Sequence, residues 1–222
     1  MEHQHSEEDL KAIAKQLSDP EGEYGIKTGE SMNASNIGMT NSAVDALNLH
    51  GGEMILEIGH GNGGHIANLL RKANGLKYFG ADISETIIAE AKRLNKEFVR
   101  SETANFHLTN GVDLPFEDKK FNKVFTVNTI YFWENPLNYL IEIRRVLKTG
   151  GKFALCFADK SFMEKLPFTK YGFTLYDVET VIDLLNKAGF INCTSEKKTE
   201  QIKSNAGFMV ERDYYVVIAL AR

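Results

Sequence analysis

The sequence predicts an α/β fold: a doubly wound, seven-stranded, mainly parallel sheet with an antiparallel last strand and helices on both faces. Three observations predict it. From Glu53 onward, short apolar runs alternate with stretches of helical period, the pattern that builds parallel sheets. The strand segments are nearly continuous in apolar residues, as strands covered on both faces must be. The last run, Tyr214–Leu220, is rich in β-branched residues and follows the sixth strand with no helix between. A strand joined by a loop pairs more naturally antiparallel.

The elements follow in order. Residues 6–17 form an amphipathic helix, with Ser6 as cap, Asp9 three positions on, and Leu10, Ile13, Ala14 and Leu17 on the apolar face. Asp19-Pro20 ends it. The stretch from Glu21 to Gly38 is rich in Gly, Ser and Asn and is expected to be a loop. Thr40 or Asn41 then starts a second helix carrying Val44, Leu47 and Leu49, broken by His50-Gly-Gly52. The chain therefore divides into an N-terminal helical extension or lid, residues 1–52, and a main domain, residues 53–222. In the main domain Met54–Ile58 is the first strand and Gly64–Ala73 its helix. Lys77–Ala81 is the second strand, closed by Asp82, and Ser84 caps a helix with Ile87, Ile88, Ala91 and Leu94 inward. Asn105–Leu108, Lys123–Val127 and Lys152–Phe157 are strands three to five. Pro136–Leu147 and Tyr176–Ala188 are helices, and strand six begins at Phe190.

Composition bounds the function. The 222 residues carry a net charge of −4, with 43% hydrophobic and 25% charged residues, ordinary globular values. The acidic balance and the lack of a basic patch with interleaved aromatics exclude nucleic acid as the expected partner. Cys156 and Cys193 cannot build a disulfide framework. The polar start, Met1 to Asp9, is no secretory signal, and the apolar run Val216–Ala221 is too short to span a bilayer. A soluble cytoplasmic protein is expected, with no membrane partner.

The motif that carries chemistry is Glu57-Ile-Gly-His-Gly-Asn-Gly-Gly64 between the first strand and its helix. Glycines there let bare backbone N–H groups approach a ligand, and the following helix is expected to add its positive end. The pattern fits two cofactors equally. Gly59, Gly61 and Gly64 make the dinucleotide fingerprint, with Asp82 about twenty residues on. Gly59, Gly61 and Gly63 make an alternating-glycine loop led by Glu57.

Five further segments decide. Gly80-Ala-Asp-Ile-Ser84, Asn110-Gly-Val-Asp-Leu-Pro-Phe116, Phe121 to Asn128 with Thr129-Ile-Tyr-Phe-Trp133, Arg145-Val-Leu-Lys-Thr-Gly-Gly-Lys152 and Leu184-Leu-Asn-Lys-Ala-Gly-Phe190 follow the glycine loop in order. Together, over about residues 53–222, the chain resembles the class I S-adenosylmethionine-dependent methyltransferases, of small-molecule type. The resemblance implies a Rossmann-like fold and S-adenosyl-L-methionine as cofactor, released as S-adenosyl-L-homocysteine. It departs at Asn110, where the family usually has an acid; at Thr149, usually proline; and at His60, usually a small or acidic residue.

The resemblance implies the following roles. Gly59, His60, Gly61, Asn62 and Gly63 form the loop over the methionyl and ribose parts, and Glu57 receives the ammonium. Asp82 takes both ribose hydroxyls, a charge-assisted arrangement. Ile83 lies on the adenine face, Asn110, Gly111 and Val112 at its edge, and Asn128 beside the methionyl chain. Tyr24, Met32, Tyr131, Trp133 and Tyr171 are candidates for the acceptor pocket, the last in a long loop that also carries Phe162, Phe168, Phe173 and Tyr176. No catalytic base is assigned, and no metal is expected, because the methyl group is already activated and alignment with water excluded can supply most of the acceleration. Two other functions fit the glycine loop or the fold: an NAD(P)-dependent oxidoreductase, and a non-catalytic S-adenosylmethionine-binding module. The acceptor, its nucleophilic atom and the oligomeric state are not encoded in these motifs.

Overall fold

The computed structural model describes residues 6–203 and 208–222; the first five residues of the polar N-terminal stretch lie outside them. A seven-stranded sheet forms the centre: β1 (Met54–Ile58), β2 (Lys77–Asp82), β3 (Ala104–Leu108), β4 (Phe121–Val127), β5 (Leu147–Ala158), β6 (Phe190–Lys203) and β7 (Met209–Ala221). Their order across the sheet is β3-β2-β1-β4-β5-β7-β6. Only β7 is antiparallel, to β5 on one side and β6 on the other, so the reversed last strand is present as expected.

Consecutive residues point to opposite faces of a strand, and Ile55 and Leu56 are both fully buried. Both faces of β1 are therefore covered, which is why the sequence shows no alternation there. The covering helices are α1 (Glu7–Ser18), α2 (Gly22–Leu47), α3 (Ile66–Leu70), α4 (Glu85–Leu94), α5 (Lys96–Arg100), α6 (Pro136–Val146), α7 (Lys160–Met163) and α8 (Val178–Lys187). Ser6 and Ser84 cap α1 and α4 as predicted, Ser6 in a capping box with Asp9.

One large expectation fails. The stretch from Glu21 to Gly38 is no loop: α2 runs unbroken for 26 residues and packs across β4, β5 and β7. Gly, Ser and Asn are poor helix formers, and these are retained because the helix docks through them. A Cβ on Gly25 would sit 2.6 Å from the Pro20 carbonyl carbon, and one on Gly29 would sit 2.8 Å from Ile87 Cδ1. The second half of α2 contributes Met39, Ala43, Val44 and Leu47 to the same core as the sheet. Tertiary burial overrides local propensity here.

Smaller differences follow similar physics. The helix after β1 is five residues long rather than the ten predicted, so little macrodipole stands behind the glycine loop. α5 was not anticipated. β6 extends well beyond its apolar start through Glu196, Lys197 and Lys198, which supply no strand signal, and from Thr199 to Lys203 it pairs with β7 alone as a two-stranded ribbon.

β1 and β4 are neighbours, with chain direction across the sheet reversing between them. In doubly wound sheets that switch point, at the carboxyl ends of the strands, is where ligands bind. Residues 57–65, 82–83, 109–113 and 128–133 all emerge there.

Candidate functional site

A cavity of about 160 Å³ lies at the switch point. Its floor is Glu57, Ile58, Gly59, His60 and Gly61 from the end of β1, with Ala81, Asp82 and Ile83 from β2. Gly59, Gly61 and Gly63 all adopt positive φ (70°, 55° and 69°). A Cβ on Gly59 would lie 2.3 Å from Thr129 Cγ2 of the neighbouring strand end. Only glycine lets this loop close down between β1 and β4. Asn62 and Gly63 shape the loop from outside the cavity: Asn62 Oδ1 accepts the Gly64 N–H at 3.1 Å.

Glu57 is buried, and its carboxylate is held from behind. It accepts hydrogen bonds from the Tyr78 hydroxyl and from His65 Nε2, the latter at 2.7 Å. Both end on Oε2, so Oε1 is the oxygen left for a ligand. His65 escaped the sequence reading because it falls in the expected helix; its eight-residue separation from Glu57 is bridged only by the tight glycine turn. Burial alone would lower the His65 pKa, but the charge and hydrogen bond of Glu57 outweigh it and raise it above the ordinary 6.5. A raised imidazole pKa means stability that is present below the unfolded value and lost as pH rises through the folded one. We therefore expect the melting temperature to fall as pH rises upward from 6.5. Thermal denaturation of His65→Gln should show lower stability at pH 6 and a flatter profile above it; an unchanged profile would remove the ion pair.

Asp82 ends β2, buried, with Oδ1 accepting the Ser84 N–H at 3.0 Å. Burial raises its pKa, opposed by His60 and by the N–H groups of Ser84 and Ile83. His60 is buried beside it. Its Nδ1 lies 2.6 Å from the Gly61 carbonyl oxygen, so Nδ1 carries the proton and donates. Its Nε2 has no partner among the described residues. The ring fills the space above Gly80, where a Cβ would come within 2.6 Å of it, and packs edge-on against Phe106.

Ile83 is 42% exposed although apolar. It lines the inner cavity and also a larger outer cleft of about 720 Å³, and Thr109 joins it in both. Gly111 faces it: a Cβ there would lie 3.4 Å from Ile83 Cγ2. Asn110 lines the outer cleft, but its amide is committed within the loop. Oδ1 accepts the N–H groups of Val112 and Asp113, and Nδ2 donates to Asp113. That network fixes which way the amide points. Val112 is exposed and lines neither space.

At the end of β4, Asn128 sits at φ 58° and lines the cavity. Its side chain is fully used: Oδ1 accepts from the Tyr131 hydroxyl and the Ala158 N–H, and Nδ2 donates to Asn36 Oδ1 at 3.2 Å. What it offers a ligand is main chain. Of the acceptor-pocket candidates, Met32 and Trp133 line the cavity. Tyr131 is buried behind it, its hydroxyl bonded to Asn128 and Ala158 and its pKa pushed up by burial. Tyr24 is 76% exposed on the outside of α2 and does not reach it. Tyr171 lies against Lys11 of α1, 5.5 Å from ring centroid to Nζ. The long loop after β5 thus clamps α1 and backs Phe132 through Phe173 rather than lining the cavity.

Of the α2 wall the sequence offered Met32 but not Asn33, Asn36 or Thr40, which fall in the expected loop or at a helix start. Read as a helix, their spacing of three and four puts them on one face. The turn between α1 and α2, with Leu17, Ser18 and Pro20, closes the top. It is pinned by the Ser84 hydroxyl donating to the Pro20 carbonyl and by the Gly22 N–H donating to Thr86.

Residues 56–155 match the family described as a methyltransferase domain. Phosphoethanolamine N-methyltransferase 2 of Caenorhabditis elegans is 28% identical over 158 residues, 68% of this chain and 36% of that protein. Demethylmenaquinone methyltransferase of Tropheryma whipplei is 33% identical over 115 residues, 52% of this chain and 46% of that protein. The chain thus spans about a third to a half of these relatives. Among solved structures, a putative methyltransferase complexed with the Trm112 activator of Haloferax volcanii superposes with a TM-score of 0.72 at 16% identity, covering 96% of this chain and 97% of that one. Phosphoethanolamine N-methyltransferase 2 of Haemonchus contortus, bound to phosphomonomethylethanolamine and S-adenosylhomocysteine, gives 0.70 at 16% identity, over 95% of this chain and 59% of that one. Residues 56–155 are thus similar to a methyltransferase domain, and the chain has the fold of these methyltransferase structures.

Proposed function

We propose that this protein is an S-adenosylmethionine-dependent methyltransferase acting on a small-molecule acceptor. The observation that carries the reading is the convergence on one cavity of the Glu57 carboxylate, the Gly59–Gly63 turn and the Asp82 carboxylate. They stand at the ends of adjacent parallel strands, with Ile83 and Thr109 shared between this cavity and the outer cleft. That set suits an ammonium, a sugar diol and a flat base in succession. Glu57 Oε1 would take the ammonium, Asp82 the ribose hydroxyls and Ile83 the adenine face, with Asn110 contributing through its loop rather than its amide.

When bound, S-adenosylmethionine supplies a sulfonium methyl group already activated toward nucleophiles. The chain's part is to bind, align and exclude water. Tyr131 stays protonated and engaged, so it is no base. Within the N-terminal extension of residues 1–52, α1 and the α1–α2 turn serve as the lid on the 53–222 domain, while the second half of α2 is built into its core. Two free cysteines, Cys156 buried and Cys193 partly so, fit a reduced cytoplasmic setting. No helix of the described residues is long and apolar enough to cross a membrane.

Thermal denaturation with S-adenosylmethionine, S-adenosylhomocysteine and NAD tests the reading. A ligand at about a hundred times its Kd stabilises by about 2.7 kcal/mol. For a chain of this length that raises Tm by roughly 5–10 °C. Both sulfur ligands should do so. A shift by NAD alone would point to the oxidoreductase.

A further inference from the structure

We infer that the acceptor is a small molecule without phosphate or carboxylate, and that Asn36 Nδ2 reads a hydrogen-bond acceptor on it. The inference rests on the methyl-donor reading and extends it to the other half of the cavity.

The orientation of the Asn36 amide follows from its partners. Oδ1 lies 3.0 Å from Arg212 Nη1 and 3.2 Å from Asn128 Nδ2. An arginine is donor only, so the atom facing it must be the oxygen. The remaining Nδ2 makes no hydrogen bond among the described residues. The buried side-chain atoms lacking a partner are His60 Nε2, His107 Nε2 and Arg144 Nε among the described residues, and Asn36 Nδ2 is not one of them. It is therefore not sealed from solvent, and it belongs to a residue that lines the cavity. The cavity wall presents a fixed donor, held in place by a buried arginine.

The charge around that donor limits what it meets. The ionisable groups lining the inner cavity are Glu57, His60, His65, Asp82 and Tyr139. Glu57, His60, His65 and Asp82 belong to the ends of β1 and β2, the donor half. The α2 side offers Met32, Asn33, Asn36 and Thr40, and Phe132 lines the same cavity. No Lys or Arg lines the inner cavity or the outer cleft, and the outer cleft carries the carboxylates Asp19, Glu21, Glu85 and Asp113. Burying a phosphate or carboxylate here would leave it unpaired, at a large desolvation cost. The phosphate-bearing acceptor named for two relatives does not fit these walls. A neutral carbonyl or ether oxygen against Nδ2, its carbon skeleton between Met32 and Phe132, does.

The test uses three thiols that differ only in their tails: methyl mercaptoacetate, whose ester only accepts hydrogen bonds; mercaptoacetate; and cysteamine. Each is titrated into protein saturated with S-adenosylhomocysteine and followed by protein NMR. The wild type should bind the ester at least about tenfold more tightly than mercaptoacetate, the scale of one satisfied against one unpaired buried polar contact. Asn36→Asp keeps an oxygen for Arg212 and Asn128 and replaces only the cavity-facing donor. It should lose the ester preference by a similar factor and favour cysteamine. Tyr24→Phe, on the outer face of α2 and away from the cavity, should retain the ester preference. Tighter mercaptoacetate binding by the wild type, no ester binding, or an unchanged tail ratio in Asn36→Asp would each overturn the inference. Its failure with a normal S-adenosylhomocysteine shift leaves the methyltransferase reading standing; absence of that shift would sink both.

Discussion

Replacing Asp82 with Asn is expected to abolish stabilisation by S-adenosylhomocysteine and at the same time to make the ligand-free protein more stable. The two effects have one cause. Asp82 is buried, and its pKa is raised mainly by desolvation, which His60 and the N–H groups of Ser84 and Ile83 offset only in part. A carboxyl that holds its proton more tightly folded than unfolded loses its stabilising contribution as pH rises above the ordinary 3.8. At neutral pH its ionised form is a cost carried by the empty fold. Asn keeps the acceptor for Ser84 and removes the charge, so the apo melting temperature should rise. The same substitution removes the charged acceptor for two hydroxyls. Hydrogen bonds to charged groups are worth roughly 1.5–3 kcal/mol each. A loss of about 3 kcal/mol, roughly hundredfold in Kd, is therefore the minimum expected. Thermal scans with and without ligand measure both. A retained ligand shift removes Asp82 from the ribose role, and a lower apo Tm contradicts the desolvation account.

The sequence made the proposed donor half of this site legible and the proposed acceptor half only at Met32 and Trp133, for a physical reason. Glu57, the glycines, Asp82 and Ile83 sit within or beside strands whose apolar runs announce themselves, at spacings fixed by backbone geometry. Their positions follow once the strands are found. Asn33, Asn36 and Thr40 lie on a helix that its own composition argues against. Gly25 and Gly29 look like loop residues until Pro20 and Ile87 are seen packed against them. Tyr24 and Tyr171 show the converse. An aromatic ring in the right segment carries no information about the direction in which the helix or loop will turn it. His65 falls between the cases: the residue was visible, but its pairing with Glu57 depends on a turn only the fold defines.

The second large effect is expected at Arg212, far from the glycine loop in sequence and in the sheet. Arg212 is 5% exposed on β7. Its guanidinium bonds Glu200 Oε1 through Nε and Nη2, the Ser35 carbonyl through Nη2 and Asn36 Oδ1 through Nη1. It thereby joins the β6–β7 ribbon to the middle of α2, where a Cβ on Gly38 would collide with Glu200 Oε2. Arg212→Leu leaves the Glu200 carboxylate and two α2 oxygens without their shared donor. Breaking one side of a buried pair costs about 3–5 kcal/mol, a fall in Tm of roughly 10 °C for a chain of this size. The double variant Arg212→Leu with Glu200→Leu should recover part of that loss, because the orphaned charge goes with its partner. It should not recover the acceptor selectivity, because Asn36 would still lack the cation that fixes its amide. If the single variant melts like the wild type, the pair is not the clasp of α2. If the double variant regains both stability and selectivity, Arg212 stabilises the ribbon alone and the acceptor wall is held by Asn128.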